Sequence, residues 1–379
     1  MTFLSRAMNL PADNGPPVET LINGDQSLKA IFRDIDDARS SINMMVYIWK
    51  DGRLSDMVLD HLLRKQREGV EVRILLDAYG GLKAPTRKLD SLKAAGGRVA
   101  TFHSLLPLPW TILRNTKRNH RRAIVIDGKV GYTGGLGIDD VWLGDARNKD
   151  EWHDLMFRTQ GSMAARLQGS FAEVWATATG EALAGPRFFP EAPQQGSVPY
   201  VTLSSSPSPD FYPAEQFVLS SLTAAQHDIE IETPYFLPNR TIRKVLIDKA
   251  RSGVHVSVLV PNENTDEKSV RWAGQRIYQE LMEAGVRIYE YQPTFTHTKL
   301  LVEDNAFAVI GSANMDIRSR RLNDEIMIGI SDARFAASLS GVFSRDIQRA
   351  KEIRLQDWKR RGPVQRLLEL LCQAFVQQY

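Results

Sequence analysis

The sequence predicts an α/β protein made of two tandem α/β/α sandwich domains. Helical and strand periodicities alternate along the chain, that alternation occurs twice in the same order, and each occurrence ends in a box built around one histidine. In the first half, residues 27–39 place apolar side chains at helical spacing, and Ser41-Ile42-Asn43-Met44-Met45-Val46-Tyr47-Ile48 reads as a buried strand. A second helical pattern runs through Leu62-Leu63-Arg64. Glu68-Gly69-Val70 stops it and opens a strand that ends at Asp77. The second half repeats the order: a helix over residues 217–226, a strand over 229–236, a helix over 242–250, then Ser252-Gly253-Val254 opening a strand to Pro261. Ala95-Gly96-Gly97-Arg98-Val99 has its echo in Ala284-Gly285-Val286-Arg287-Ile288. Three echoes in one order predict an internal duplication. Pro, Gly and Ser crowd the stretch between Gly185 and Pro209, which places the boundary there. The expected units are residues 20–190, residues 200–355 and a C-terminal amphipathic helix over 356–379.

The chain has 379 residues, a length that suits two domains, with 43% hydrophobic and 25% charged residues. A net charge of +3 makes it no polycation, so any preference for anions must come from local clusters. The one cysteine, Cys372, excludes an internal disulfide framework and a thiolate metal cluster within one chain. The first 17 residues hold no apolar stretch of signal-peptide length, and no window approaches the roughly 20 apolar residues of a membrane-spanning helix. At a membrane, the protein is expected to lie on the surface.

The second histidine box is His297-Thr298-Lys299, then four residues to Asp304, then six to Gly311-Ser312-Ala313-Asn314. Lys299 to Val302 and Ala306 to Ile310 are strand-like around a turn, so His297 and Lys299, two residues apart, project into one pocket to which Asn314 returns. The set fits a phosphodiester. The cation neutralises non-bridging oxygens, the amide donates a hydrogen bond, and the histidine attacks phosphorus or protonates the leaving oxygen. The first box has the same spacing: His120-Arg121-Arg122, four residues to Asp127, six to Gly134-Gly135-Leu136-Gly137. Two histidines on opposite sides of phosphorus suit in-line displacement without a metal or other cofactor. Five other histidines, His61, His103, His153, His227 and His255, lack such a box and read as ordinary core or surface residues.

These paired boxes resemble those of the phospholipase D superfamily. Thr233-Pro234-Tyr235-Phe236, the Ala284-Gly285-Val286 strand, Asp316-x-Arg318-Ser319 and Leu322-Asn323-Asp324-Glu325 are similar more specifically to bacterial cardiolipin synthases, over residues 22–355. The resemblance implies two phospholipase D-like domains related by a pseudo-twofold axis, with the active site between them. It implies a phosphohistidine intermediate, with His120 as nucleophile and His297 as acid and base. It also implies a carboxylate that orients each histidine: Glu325, 28 residues after His297, for that histidine, and Asp154 in Trp152-His153-Asp154-Leu155 for His120. Asp127 and Asp304, counted with the catalytic set, are expected to hold turns and backbone beneath the pocket. Ser312, Asn314, Gly135, Arg122 and Lys299 are the expected substrate-binding residues.

The first box departs from the family twice. Arg122 stands where the family has lysine, which keeps the charge on a bulkier planar fork. Gly137 stands where it has asparagine, and a lost preorganised donor can cost about 2.7–4 kcal/mol of transition-state stabilisation.

Between His103 and Ile126 there is no acidic residue. The apolar, Trp110-bearing run from Leu105 to Leu113 leads into Arg114, Lys117, Arg118, Arg121 and Arg122, a pattern that suits an anionic lipid surface. Val364, Leu367, Leu368, Leu371 and Phe375 share one helical face after Trp358-Lys359-Arg360-Arg361, which fits an interfacial helix, a helix docked on the protein's own core or a dimer contact equally well. The expected activity is condensation of two phosphatidylglycerol molecules to cardiolipin and glycerol, by a peripheral protein on the cytoplasmic face of the inner membrane. Hydrolysis of phospholipids to phosphatidic acid, cleavage of nucleic acid, and catalytically weak lipid binding are the alternatives. The apolar run at Leu105 argues against nucleic acid, and the sequence is silent on oligomeric state.

Overall fold

The computed structural model describes residues 1–103, 105, 116–191, 196–208 and 210–376, without the side chains of residues 375 and 376. The chain opens with α1 (Thr2–Met8) and β1 (Ala12–Gly15). The first half then runs β2 (Glu19–Ile22), α2 (Asn23–Asp37), β3 (Ser41–Val46), α3 (Arg53–Arg67), β4 (Glu71–Asp77), α4 (Thr86–Ala94), β5 (Arg98–Phe102), β6 (Ala123–Ile126), β7 (Val130–Gly134), a 3-10 turn (Asp140–Trp142), β8 (Leu155–Gln160) and α5 (Gly161–Thr179). The second half runs β9 (Val198–Ser205), α6 (Pro213–Ala224), β10 (Asp228–Glu232), α7 (Arg240–Arg251), β11 (His255–Pro261), α8 (Lys268–Gln275), α9 (Tyr278–Glu283), β12 (Arg287–Tyr291), β13 (Leu300–Glu303), β14 (Phe307–Gly311), α10 (Ile317–Arg321), β15 (Glu325–Ile330) and α11 (Ala333–Gln348). β16 (Ala350–Glu352), α12 (Leu355–Lys359) and α13 (Pro363–Val376) complete it.

The first sheet has the strand order β2-β8-β7-β6-β3-β4-β5, and the second β1-β9-β15-β14-β13-β10-β11-β12-β16. Without the edge strands β1 and β16, the two orders correspond strand for strand. In each, two pairs are parallel (β3 with β4 and β4 with β5; β10 with β11 and β11 with β12), and a helix crosses over between their members. The duplication is therefore present in three dimensions. β3 is buried along its whole length, as an apolar central strand covered on both faces must be.

α2, α3 and α4 pack the outer face of the first sheet, and α1, α6 and α7 that of the second. Between the sheets lie α5 and α11, whose Phe171, Trp175, Leu339 and Phe343 join side chains from both sheets in one core. The two α/β/α sandwiches thus share their inner layer. β1 pairs with β9 and Leu4 of α1 lies in the second sheet's outer core, so the first fifteen residues pack with the second half.

Turns fix the register of both box hairpins in the same way. Asp127 adopts a left-handed φ of 53° and its carboxylate accepts the backbone N–H groups of Arg39, Ser40 and Ser41. Asp304, also at 53°, accepts those of Gln226, His227 and Asp228. Each aspartate ties the β6–β7 or β13–β14 turn to the start of β3 or β10. The expected C-terminal helix is two helices, broken at Gly362 because Pro363 disfavours a helical residue before it.

Candidate active site

The loops that precede β6 and β13 carry the two histidines to the seam between the halves, at the opposite end of those strands from Asp127 and Asp304. The box aspartates therefore hold the hairpin turns and take no place beside the histidines. Across the seam, the His120 N–H donates to the Asp324 carbonyl at 2.9 Å, and the Asp324 N–H to the Arg118 carbonyl at 2.8 Å. The His297 N–H donates to the His153 carbonyl at 2.7 Å, and the His153 N–H to the Phe295 carbonyl at 3.0 Å. Each histidine loop is thus stitched to the residue that precedes the other half's carboxylate.

That stitching overturns the expected pairing. Glu325 does not meet His297; both its oxygens lie 2.9–3.0 Å from His120 Nδ1. Asp154 does not meet His120; its Oδ2 lies 2.8 Å from His297 Nδ1. Sequence proximity suggested partners within one half, whereas the bridges Asn119–Asp324 and His153–Thr296 exchange them. Neither half contains both members of either pair at the site.

The electrostatics define which nitrogen can react. Burial pulls His120 down to about 4 against the opposing pull of Glu325, and burial with Lys299 pulls His297 down to about 3. Burial pushes both carboxyls up, but the facing histidines, together with Lys299 and Trp142 at Asp154 and Ser312 at Glu325, hold them below their usual range. A neutral imidazole facing a carboxylate donates from Nδ1 and leaves the Nε2 lone pair free.

Two cations complete the cluster. The Lys299 ammonium donates to the His297 carbonyl at 2.8 Å and sits 3.2 Å from both ring nitrogens. Burial pushes it down to about 7. Arg122 is 1% exposed, and among the described residues none of its three guanidinium nitrogens has a hydrogen-bond partner. Burial lowers its pKa while Asp154 and Glu325 oppose that. A buried guanidinium without partners is costly, so its five N–H donors are set to receive an anion.

The remaining expected site residues divide. Asn314 lines a cavity of about 40 Å³ together with Lys299, and its carbonyl oxygen has no partner among the described residues. The Ser312 hydroxyl is engaged within the protein: it donates to Glu325 and accepts the Ile326 N–H. The Gly135 N–H is engaged within the protein, donating to the Leu155 carbonyl at 3.2 Å. Of the apolar run, only Leu105 falls among the described residues, and Phe375 of the C-terminal stripe has no described side chain.

Three contributors went unread. Trp142 Nε1 donates to Asp154 Oδ2 at 2.9 Å. Tyr47 meets the His120 ring edge-on at 4.8 Å between centroids. The Tyr235 hydroxyl donates to Asp266 at 2.7 Å just before α8. Tyr235 lies inside the quoted Thr233-Pro234-Tyr235-Phe236 signature; no spacing signalled the other two.

His153, Glu232 and Asp346 are buried together, with one ligand-type atom of each within 4.8 Å of the others. Existing hydrogen bonds engage all three side chains, while Glu232 Oε2 has no partner among the described residues. Asn23 Oδ1 can only accept, so His153 Nδ1 donates to it at 2.8 Å, while Nε2 faces Asp346 Oδ2 at 3.0 Å and Glu232 accepts from Thr296. Burial pulls His153 down but Asp346 outweighs it, and the net shift is upward. His153 links the halves through both ring nitrogens, where the sequence suggested an ordinary core histidine.

With this geometry in hand, the comparisons with known proteins are specific. The family described as cardiolipin synthase, PLD-like domain, matches residues 31–175 and 218–347. Cardiolipin synthase 2 of Bacillus cereus is 33% identical over 356 residues, which cover 92% of this chain and 68% of that protein. Cardiolipin synthase A of Proteus mirabilis is 31% identical over 375 residues, covering 95% and 75%. Among solved structures, a phosphatidylserine synthase from Haemophilus influenzae superposes with a TM-score of 0.78 at 15% identity, covering 100% of this chain and 98% of that one. A polyphosphate kinase from Porphyromonas gingivalis shares the fold at a TM-score of 0.59 and 11% identity, over 96% and 53%.

Proposed function

Because the chain belongs to the cardiolipin synthase family of phospholipase D-like proteins, we propose that it is a phosphatidyltransferase that joins two phosphatidylglycerol molecules into cardiolipin and glycerol. The observation that carries the reading is the unpartnered Arg122 guanidinium, buried beside two carboxylate-anchored neutral histidines and Lys299. Arg122 and Lys299 neutralise the non-bridging oxygens of the phosphodiester as charge builds on them. His120 Nε2 attacks phosphorus, and the bond from phosphorus to the terminal glycerol oxygen breaks. His297 supplies the proton that this oxygen takes. The arriving phosphate anion offsets the two cations that depress His297, so His297 regains a proton as substrate binds. Now neutral, His297 accepts the proton of a second phosphatidylglycerol hydroxyl. That oxygen attacks phosphorus, the phosphorus–nitrogen bond breaks, and cardiolipin leaves with His120 restored.

The substrate is a bilayer lipid, and one surface suits an anionic bilayer at the cytoplasmic face of the inner membrane. No helix among the described residues is long and apolar enough to cross a membrane. α13 exposes Val364, Leu367, Leu370 and Leu371, each 52–70% accessible. Its acidic residue, Glu369, is buried against Arg361, which also reaches Gln279 and anchors the helix to the body. Arg360 and Arg366 are exposed beside the stripe, Lys359 pairs with Glu283 at 3.0 Å, and α13 itself carries no outward carboxylate. α13 packs along α8, whose first turn follows the Asp266 that holds Tyr235 beside the site.

Incubation of the purified protein with phosphatidylglycerol vesicles tests the activity. Cardiolipin and glycerol in equal amounts are expected. Phosphatidic acid in place of cardiolipin makes water the acceptor, and lipid left unchanged while DNA is cleaved removes the lipid reading.

A further inference from the structure

We propose that Trp142 is a positioning residue for this reaction: its indole N–H supplies, from outside the first box, the hydrogen bond that Ser312 supplies inside the second. The proposal rests on the histidine chemistry above.

The two halves solve one problem differently. In the second half, Gly311 (φ 141°) is followed by Ser312, whose hydroxyl donates to Glu325 and accepts the N–H of Ile326, the residue after that carboxylate. In the first half, Gly134 (φ 145°) holds the equivalent turn, but Gly135 offers no hydroxyl. Asp154 fills the gap itself. Its Oδ1 accepts the N–H of Leu155, again the residue after the carboxylate, at 2.8 Å. Its Oδ2 then takes the His297 Nδ1–H at 2.8 Å and the Trp142 Nε1–H at 2.9 Å. Every N–H around the Asp154 side chain is thereby matched, and the carboxylate is held in one rotamer. The indole also meets the His297 ring edge-on, with centroids 5.5 Å apart, so it bounds both partners of the pair.

Two glycines of the first box, Gly135 and Gly137, are the steric condition for this arrangement. A Cβ at residue 135 would stand 2.1 Å from Asp154 Oδ1, where the carboxylate now lies. A Cβ at residue 137 would stand 3.0 Å from two carbons of the Trp142 six-membered ring and 3.1 Å from Ile48 Cβ. The indole therefore occupies the space that a side chain at 137 would need. Gly135, Gly137, Asp154 and Trp142 form one compensated set, and the first box is altered without being dismantled.

The test is Trp142→Phe, which keeps an aromatic ring and removes the N–H. Without that donor Asp154 becomes the stronger base, favours the imidazolium, and raises the His297 pKa. Histidine titration by nitrogen-15 NMR reads this shift without turnover, so failure of the cardiolipin reading would leave the measurement intact. In kinetics, kcat is expected to fall roughly 10–100-fold, the scale of one lost hydrogen bond to a charged group, with KM little changed. Gly137→Ala, which crowds the indole and deletes no donor, is expected to move His297 in the same direction and serves if the phenylalanine variant does not fold. A His297 titration identical to wild type in a folded variant of either kind would reduce Trp142 to packing and overturn the proposal.

Discussion

At the scale of single residues, charge state decides what the site can do. Lys299 is pushed down to about 7 by burial, so in the free enzyme it loses its proton as pH rises through neutrality. The phosphate oxygens then lose one of their two cations. The account expects kcat/KM, which reports the free enzyme, to fall on the alkaline side with a midpoint near 7. Lys299→Arg should carry that limb well above pH 8, because a guanidinium keeps its proton there. A limb that stays in place would assign it to another group. The residue types were legible in the sequence: both histidines, Lys299, Arg122, Asp154 and Glu325 stand in or near boxes of recognisable spacing. Their pairing was not, because a linear spacing cannot show which loops meet across a seam. Trp142 was not legible either. Nothing in the sequence marks an indole as standing in for a serine seven positions earlier.

At the scale of elements, the same aspartate turn is built twice, at Asp127 and Asp304, and each ties a hairpin to the strand beside it. Asp127→Ala would leave the N–H groups of Arg39, Ser40 and Ser41 without their carboxylate and is expected to cost about 1–3 kcal/mol of stability. Denaturation should register this loss, while kcat of the folded variant stays near wild type. A kcat loss of a hundredfold with unchanged stability would return Asp127 to the chemistry. α13 makes the other element-scale prediction. Leu367→Glu with Leu371→Glu should abolish co-flotation with phosphatidylglycerol vesicles and spare turnover of a short-chain, monomeric phosphatidylglycerol. Equal flotation of the variant would remove α13 from the membrane reading, and a wild-type dimer that the variant dissolves would make the stripe a contact between copies. The helices and strands themselves were legible, since periodicity and glycine stops mark them. The break at Gly362 and the edge strands β1 and β16 were not, because short or edge segments carry too few residues for a period.

At the scale of the whole molecule, the duplicated fold gives each half a histidine and a carboxylate and then exchanges the carboxylates across the seam. The seam is held by the backbone bridges at Asn119 and His153 and by the His153 ring between Asn23 and Asp346. Neither half can orient its own histidine, so the reactive centre exists only in the assembled pair. The internal repeat announced two copies of one fold, but the exchange depends on how the copies face each other, and no local pattern encodes that. In the proposed reaction His120 carries the phosphatidyl group and His297 moves the protons. The most direct measurement uses His297→Asn with a phosphatidyl ester of 4-nitrophenol, whose phenolate departs without a proton donor. A stoichiometric burst of nitrophenolate is expected, followed by arrest and a phosphatidyl adduct mapped by mass to His120, with no burst from His120→Asn. No burst from His297→Asn, or a burst from His120→Asn with the adduct on His297, would contradict the proposed roles.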